Sequence, residues 1–425
     1  MQRIMKLARY LPDSGWQPYV ITATPAWGRP RDDALLVQTA GIPVTRLGNR
    51  NVSTAIARLI SSFKRRPRGG ASAASGPAQP AAGAPLATAS GSSAARSPLS
   101  TRIVRRLMFD TAALWAARVP AAAVRLSREV TIDAVIASGP PHSALVAGAI
   151  TAKRLGVPFV ADVRDPWLEG PAYRWPDDPR KDARSIRLHA DVMQAAAVVL
   201  AVSDPIAAES RGAGASSAVT IANGFDPADV PTWAPQAGPL RVAFMGRFYD
   251  TTDPGPFLDG VAEAVRRGGA ASDLVIEIVG PPSALARDGV AARGLESRVV
   301  EHGFRAHADA LAIVSTADLG LVTITDRPGA EAIYTGKLFE YMGMGLPVLL
   351  VGPTNGVAAR LLAESRAGLS IAPADTCAIA DALERIASQK QAGTLAWNPD
   401  ATVVSRYDRR AQAAHVARLL DGTLS

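Results

Sequence analysis

The sequence predicts an α/β protein of two Rossmann-like domains facing a cleft. Three observations carry that expectation. Apolar runs rich in Val and Ile alternate with longer Ala/Leu segments of helical spacing; the alternation restarts after a Pro-rich passage at 227–239; and 425 residues are too many for one ordinary core. Repeated strand–helix–strand order favours parallel sheets covered on both faces. The expected boundaries are a first domain over 1–229, a second over 240–400, and a closing helix over 401–425 that packs back on the first.

The first element is a helix, Gln2–Tyr10. A doubly wound domain ordinarily opens with a central strand and a Gly-rich turn into its first helix. Neither precedes Gln2, so the first strand of the N-terminal domain is expected to be absent, and the natural protein to be longer by about 15–25 residues. Strands then follow at 18–22, 43–47, 134–137, 159–163, 198–202 and 219–222, with helices filling the gaps. Residues 67–100 are almost entirely Ala, Gly, Ser and Pro and are expected to form a disordered insert, since they cannot bury enough apolar surface to offset their ordering entropy. The uncharged stretch 134–152 carries Pro140 and Pro141 in its middle; it reads as strand, turn and helix rather than a membrane span. In the second domain strands are expected at 241–245, 274–279, 299–301, 319–322, 348–351 and 369–371.

Charge is unevenly placed. The chain is +8 overall, yet its first 130 residues hold 19 Lys or Arg against 5 Asp or Glu. Such a surface can serve anionic lipid, nucleic acid or solubility. Nucleic acid is disfavoured, because no aromatics interleave the basic run. Residues 51–68 set Ile56, Leu59, Ile60 and Phe63 among Arg58, Lys64, Arg65, Arg66 and Arg68, the pattern of a basic amphipathic helix suited to peripheral contact with an anionic membrane, or of an ordinary surface helix with a basic end. The single cysteine, Cys377, excludes an internal disulfide and a cysteine metal cage and fits a reducing cytoplasm.

Chemistry-bearing residues gather at strand ends. Gly246-Arg247 follows the strand at 241–245: a Gly there admits close phosphate approach and an Arg can fork onto diphosphate oxygens, or the pair is a turn with a solvated Arg. In Tyr334-Thr-Gly-Lys-Leu-Phe-Glu-Tyr-Met-Gly-Met-Gly-Leu-Pro-Val348, Lys337 and Glu340 share one helix face. Lys337 at the helix start favours diphosphate and Glu340 can accept from a ribose diol; the alternative is a surface ion pair. Gly343-x-Gly345 ends a helix and suits capping and tight packing. Asp162, Arg164 and Asp165 cluster at the carboxyl end of a strand, where α/β proteins hold ligands, or form an ion-paired loop with Trp167 as a plug. His142, after Pro140-Pro141, either contacts acceptor or sugar hydroxyls or caps the next helix. His189, His302, His307 and His415 read as structural or solvated. No Asp-x-Asp occurs, so a metal-bound diphosphate is not expected, and no cofactor is implied.

Several segments, in order along nearly the whole chain, carry a resemblance: Gln2-Arg3, Lys6-Leu-Ala-Arg-Tyr-Leu-Pro12, Gly15-Trp16, Ser138-Gly-Pro-Pro-His-Ser143, Ala161-Asp-Val-Arg-Asp-Pro-Trp167, Asn223-Gly-Phe-Asp226, Gly246-Arg247 and Gly336-Lys-Leu-Phe-Glu-Tyr341. The chain resembles the family 4 retaining glycosyltransferases of GT-B fold, particularly the bacterial subgroup that makes surface polysaccharides. The resemblance implies a nucleotide-sugar donor, a glycan or lipid-linked acceptor and a cytoplasmic site of action. It implies that Arg247 and Lys337 bind the donor diphosphate and Glu340 the ribose. The family's paired glutamates are eight apart, which from Glu340 points to Ala332; Glu331 stands one residue off and is the candidate for the donor sugar. Where many members have a histidine on the acceptor side, this chain has Arg164. A 2-epimerase of the same architecture, an inactive paralogue, and a lipid- or nucleic-acid-binding protein are the competing readings.

Overall fold

The computed structural model describes residues 2–24, 32, 35, 37–48, 110, 112–168 and 178–424. The insert expected at 67–100 and the basic helix expected at 51–68 lie outside the described residues.

The first half holds α1 (Gln2–Tyr10), β1 (Val20–Ala23), β2 (Val44–Leu47), the single turn α2 (Ala113–Ala116), α3 (Val119–Leu126), β3 (Val135–Gly139), α4 (His142–Leu155), β4 (Phe159–Val163), α5 (Pro179–Ala195), β5 (Val198–Ala201), α6 (Asp204–Gly212) and β6 (Ala218–Thr220). The second half holds β7 (Arg241–Met245), α7 (Gly255–Arg267), β8 (Val275–Val279), α8 (Ala284–Ala291), β9 (Val299–Gly303), α9 (His307–Val314), β10 (Leu319–Thr323), α10 (Gly336–Met344), β11 (Val348–Val351), α11 (Val357–Ser365), β12 (Gly368–Ile371), α12 (Thr376–Gln391), α13 (Ala401–Ser405) and α14 (Arg409–Leu424). No helix among the described residues is long and apolar enough to cross a membrane.

The second half forms one parallel sheet in the order β12–β11–β10–β7–β8–β9. Short runs of β-branched and Leu residues make these strands, and β10 and β11 are buried throughout, as strands covered on both faces must be. Period-two alternation sends Val242, Phe244, Leu321 and Leu349 to one core, with α7 and α12. It sends Ala243, Val322, Val348 and Leu350 to the other, with α10 and α11.

The first half is divided. Its strands are parallel but fall into a pair, β1–β2, and a sheet, β3–β4–β5–β6. Ala161, Val163, Val199 and Ala201 pack with Leu145 of α4 and Met193 of α5 on one face. Val160, Val198 and Leu200 pack with Leu11, just after α1, and with Val416 and Leu420 of α14 on the other. The last helix of the chain therefore covers the sheet of the first half. Its crossing begins where Phe225 forms a bridge with Asp408.

Candidate active site

The order of the second sheet reverses between β7 and β10, and an open parallel sheet holds ligands at such a reversal, outside the carboxyl ends of its strands. Glycines let backbone crowd there. Gly246, just past β7, sits at φ 125°, a conformation that side-chain-bearing residues rarely adopt. Its N–H donates to the Val279 carbonyl at 2.8 Å. A Cβ on Gly280, just past β8, would stand 1.9 Å from the Gly246 carbonyl oxygen, so the two loops meet backbone to backbone.

Tyr341 pins α10 to this corner. Its hydroxyl accepts from the Met245 N–H at 2.9 Å, and its ring lies where a Cβ on Gly320 of β10 would stand, 2.4 Å from one ring carbon. The first turn of α10 is thereby held against the end of β7. Lys337 reaches from that turn until Nζ is 3.4 Å from the Phe244 ring centroid and 3.4 Å from where a Gly246 Cβ would be. Burial lowers this ammonium to about 7, with Glu340 opposing the shift. A half-buried cation at a helix start is an arrangement that an anion stabilises.

One turn on, Glu340 has a partner of its own and still feels the charge of Lys337. Burial raises its carboxyl to about 7, Arg409 working against the rise and Asp229 with it. Its Oε1 lies 3.3 Å from Nε2 of His307, the first residue of α9. The His307 backbone N–H donates to Asp32 of the first half at 2.6 Å. Arg247 is half-buried, its guanidinium carbon 5.5 Å from the Tyr249 ring centroid. Glu331 is exposed on a 3-10 turn, Ala330–Ala332, whose last carbonyl accepts from Ser203 Oγ of the first half at 3.0 Å.

Two family models match in tandem. One, described as Glycosyl transferases group 1, matches residues 239–389, and another, described as Glycosyltransferase Family 4, matches residues 84–229. The chain is a glycosyltransferase of the GT-B fold. Solved structures agree on the fold. HepE of Anabaena, in complex with UDP, is 17% identical at a TM-score of 0.60, over 95% of this chain and 100% of that one. The apo form of WaaB, a lipopolysaccharide outer core galactosyltransferase, is 12% identical at 0.55, over 95% and 99%. Sucrose-phosphate synthase of Thermosynechococcus elongatus is 14% identical at 0.60, over 95% and 99%. No curated protein matches the chain in sequence.

In this transferase the side chains expected on the acceptor side do gather, at the carboxyl ends of β3 and β4, but two are out of a substrate's reach. Asp162 is buried and both its oxygens are engaged, Oδ1 by Arg3 Nε at 2.8 Å and Oδ2 by Ser138 Oγ at 2.6 Å. It is a clasp between α1 and the sheet rather than an open carboxylate. His142 is fully buried and stacks on Trp167, centroids 4.3 Å apart and planes 8° from parallel. Burial, with His189 and Arg164 nearby, lowers it to about 3 and keeps it neutral. Both readings offered for it, hydroxyl contact and helix cap, are corrected to a packed ring: α4 begins at His142 and turns it inward under Trp167. Arg164 donates to the carbonyls of Gly139 at 3.3 Å and Pro140 at 2.6 Å, bracing the loop after β3. Asp165 is the one of these four side chains that is classed as exposed.

His307, expected to be structural or solvated, lies beside Glu340 instead, and its place at a helix start shortly after β9 was a usable signal. The cation network below it was also missed. Lys6 is fully buried with Nζ 2.5 Å from Asp226 and 2.6 Å from Asp229, and Tyr10 donates to Asp226 at 2.6 Å. Arg409, at the start of α14, is buried among the charges of Arg3, Glu340, Asp162 and Asp226, and burial brings it down to about 10. Two basic residues three apart on α1, facing the same way as Tyr10, were the trace of this in the sequence.

Proposed function

We propose that the chain moves a sugar from a nucleotide-sugar donor to a glycan or lipid-linked acceptor with retention of anomeric configuration, in the making of a bacterial surface polysaccharide. One observation carries the reading: Lys337 stands at the start of α10 beside Gly246, at the reversal of the sheet, with Glu340 one turn further on. Lys337 and Arg247 receive the donor diphosphate, and Glu340 accepts hydrogen bonds from the ribose diol. As the bond from the anomeric carbon to the diphosphate breaks, its electron pair goes to the phosphate oxygen, where Lys337 and Arg247 meet the charge. The acceptor hydroxyl adds to the same face that the diphosphate leaves and gives up its proton to an oxygen of the departing diphosphate. Asp165, at the mouth of the first half, faces the acceptor, and Arg164 and Asp162 hold its loop in place. Glu331 is the candidate contact to the donor sugar.

The neighbours lend support. HepE was solved with UDP and WaaB is a galactosyltransferase of lipopolysaccharide, so UDP and UDP-sugars are the first probes. Retention comes from the resemblance to family 4. Action at the inner face of the membrane, in the cytoplasm, comes from the lipid-linked acceptor and the basic first 130 residues. The test is product analysis: nucleotide sugars of uridine, guanosine and adenosine are offered with lipid-linked and oligosaccharide acceptors, and the new linkage is read by NMR. The expected product keeps the donor's anomeric configuration. An inverted linkage overturns the retaining reading, and absence of transfer from every donor overturns the whole.

A further inference from the structure

Glu340 and His307 are carried on two helices that share one core. Leu311 and Val314 of α9 pack in the same cluster as Leu338, Phe339 and Met342 of α10. The pair is therefore kept at a fixed spacing, Glu340 Oε1 to His307 Nε2 at 3.3 Å. Among the described residues no other basic side chain comes within 4.0 Å of this carboxylate. Burial lowers the imidazole, Asp229 and Asp32 opposing the shift and Lys6 and Arg409 adding to it, so the ring is neutral at pH 7. A neutral ring carries hydrogen on one nitrogen, and the carboxylate opposite Nε2 favours it there.

The first half holds this histidine from behind. The residue before α9, Ala306, has no side chain to receive the orphan N–H groups of the first turn. Asp32 of the first half supplies the acceptor instead. Its Oδ2 takes the His307 N–H at 2.6 Å and its Oδ1 the Leu35 N–H at 3.4 Å. Further along, Gln38 Nε2 donates to Asp229 at 3.0 Å, and Asp229 pairs with Lys6 at 2.6 Å. Asp229 is itself one of the charges that act on Glu340. Both Asp32 and Gln38 thus end on groups that surround the Glu340 carboxylate.

We infer that His307 is a positioning residue for ribose recognition: it anchors Oε1 of Glu340 so that Oε2 is presented to the diol, and Asp32 holds it there by capping α9. The inference rests on the reading of Glu340 as the ribose acceptor. A long side chain loses rotamer freedom when it engages a ligand, so a carboxylate anchored beforehand binds a diol better than a loose one. Lys337, Gly246 and Arg247, at the diphosphate end, all belong to the second half. The ribose end is built by both halves.

Calorimetric titration with UDP and with 2′,3′-dideoxy-UDP tests this, GDP or ADP and its dideoxy form replacing them where that nucleotide binds more tightly. The unaltered chain should prefer the diol by about tenfold or more. In His307→Ala the preference should fall below about threefold, through loss of affinity for the diol form alone. His307→Gln, whose amide still donates, should keep most of it. Asp32→Ala should lower the preference in the same way, and Asp32→Asn, which still accepts at the helix start, should keep it. The inference is overturned if His307→Ala prefers the diol as strongly as the unaltered chain. It is overturned equally if His307→Ala loses both forms in the same proportion, which makes the histidine a prop for the whole corner. An unaltered chain that does not tell the two forms apart overturns Glu340 as the ribose acceptor, and the role of His307 with it.

Discussion

Lys337 and Glu340 are both brought near neutrality by burial, from opposite sides. The diphosphate binds the ammonium, so above pH 7 its binding must take up a proton and affinity falls, approaching about tenfold per pH unit. The diol donates to the carboxylate, so below pH 7 binding must release a proton from Glu340 and affinity falls again. A titration of nucleoside diphosphate against pH should therefore be bell-shaped with its maximum near 7. Lys337→Met should abolish the alkaline limb and Glu340→Gln the acid limb; a flat profile from pH 6 to 8.5 in the unaltered protein contradicts the assignment. The spacing of these two residues was readable in the sequence, and so was their helix. Their separate partners were not, because these depend on Phe244 and Gly246 receiving one side chain and His307 the other. Local spacing says nothing of residues about ninety positions upstream, or of an α9 whose start happens to reach Glu340. His142 misled for the same reason: only the ring of Trp167 across the loop shows that it is packed away.

All twelve strands among the described residues lie where Val/Ile-rich runs predicted them, within about two residues at either end, and α1 matches at both ends. Buried parallel strands announce themselves through near-continuous apolar runs. Helix packing was partly readable too. Gly345, at φ 79°, caps α10, and Gly343 faces Phe225, whose ring carbon would stand 2.3 Å from an added Cβ. Gly343→Ala should therefore destabilise the protein by about 1–3 kcal/mol despite alanine's better helix propensity, and should weaken donor binding by shifting Lys337. Gly336→Ala, with nothing within 4 Å of its Cβ position, should be neutral to mildly stabilising. Thermal melts of the two variants check the contrast, and equal effects would mean that α10 is not wedged on Phe225. The division of the first-half strands into two sheets was not legible, since pairing partners are set by topology rather than by the pattern within any strand.

The two halves are joined by buried charge as well as by covalent linkage. Lys6 bridges Asp226 and Asp229, which lie in the segment connecting the halves, and Arg409 extends the network to Glu340. Removing one partner of a buried pair strands the other, so Lys6→Met should cost about 3–5 kcal/mol in denaturant unfolding, with partial recovery in Lys6→Met/Asp226→Asn. A cost below about 1 kcal/mol would show that the bridge is not what holds α1 to the connection. Donor binding depends on one corner of the molecule, where β7, β8 and α10 meet. Calorimetric titration with UDP, GDP and ADP at pH 7 tests that corner most directly. At least one of the three should bind the unaltered chain, and Lys337→Ala, Arg247→Ala and Glu340→Ala should each weaken it about tenfold or more, the loss of one charge-assisted hydrogen bond of about 1.5–3 kcal/mol. Binding of none of the three, or equal binding by all three variants, would contradict the account.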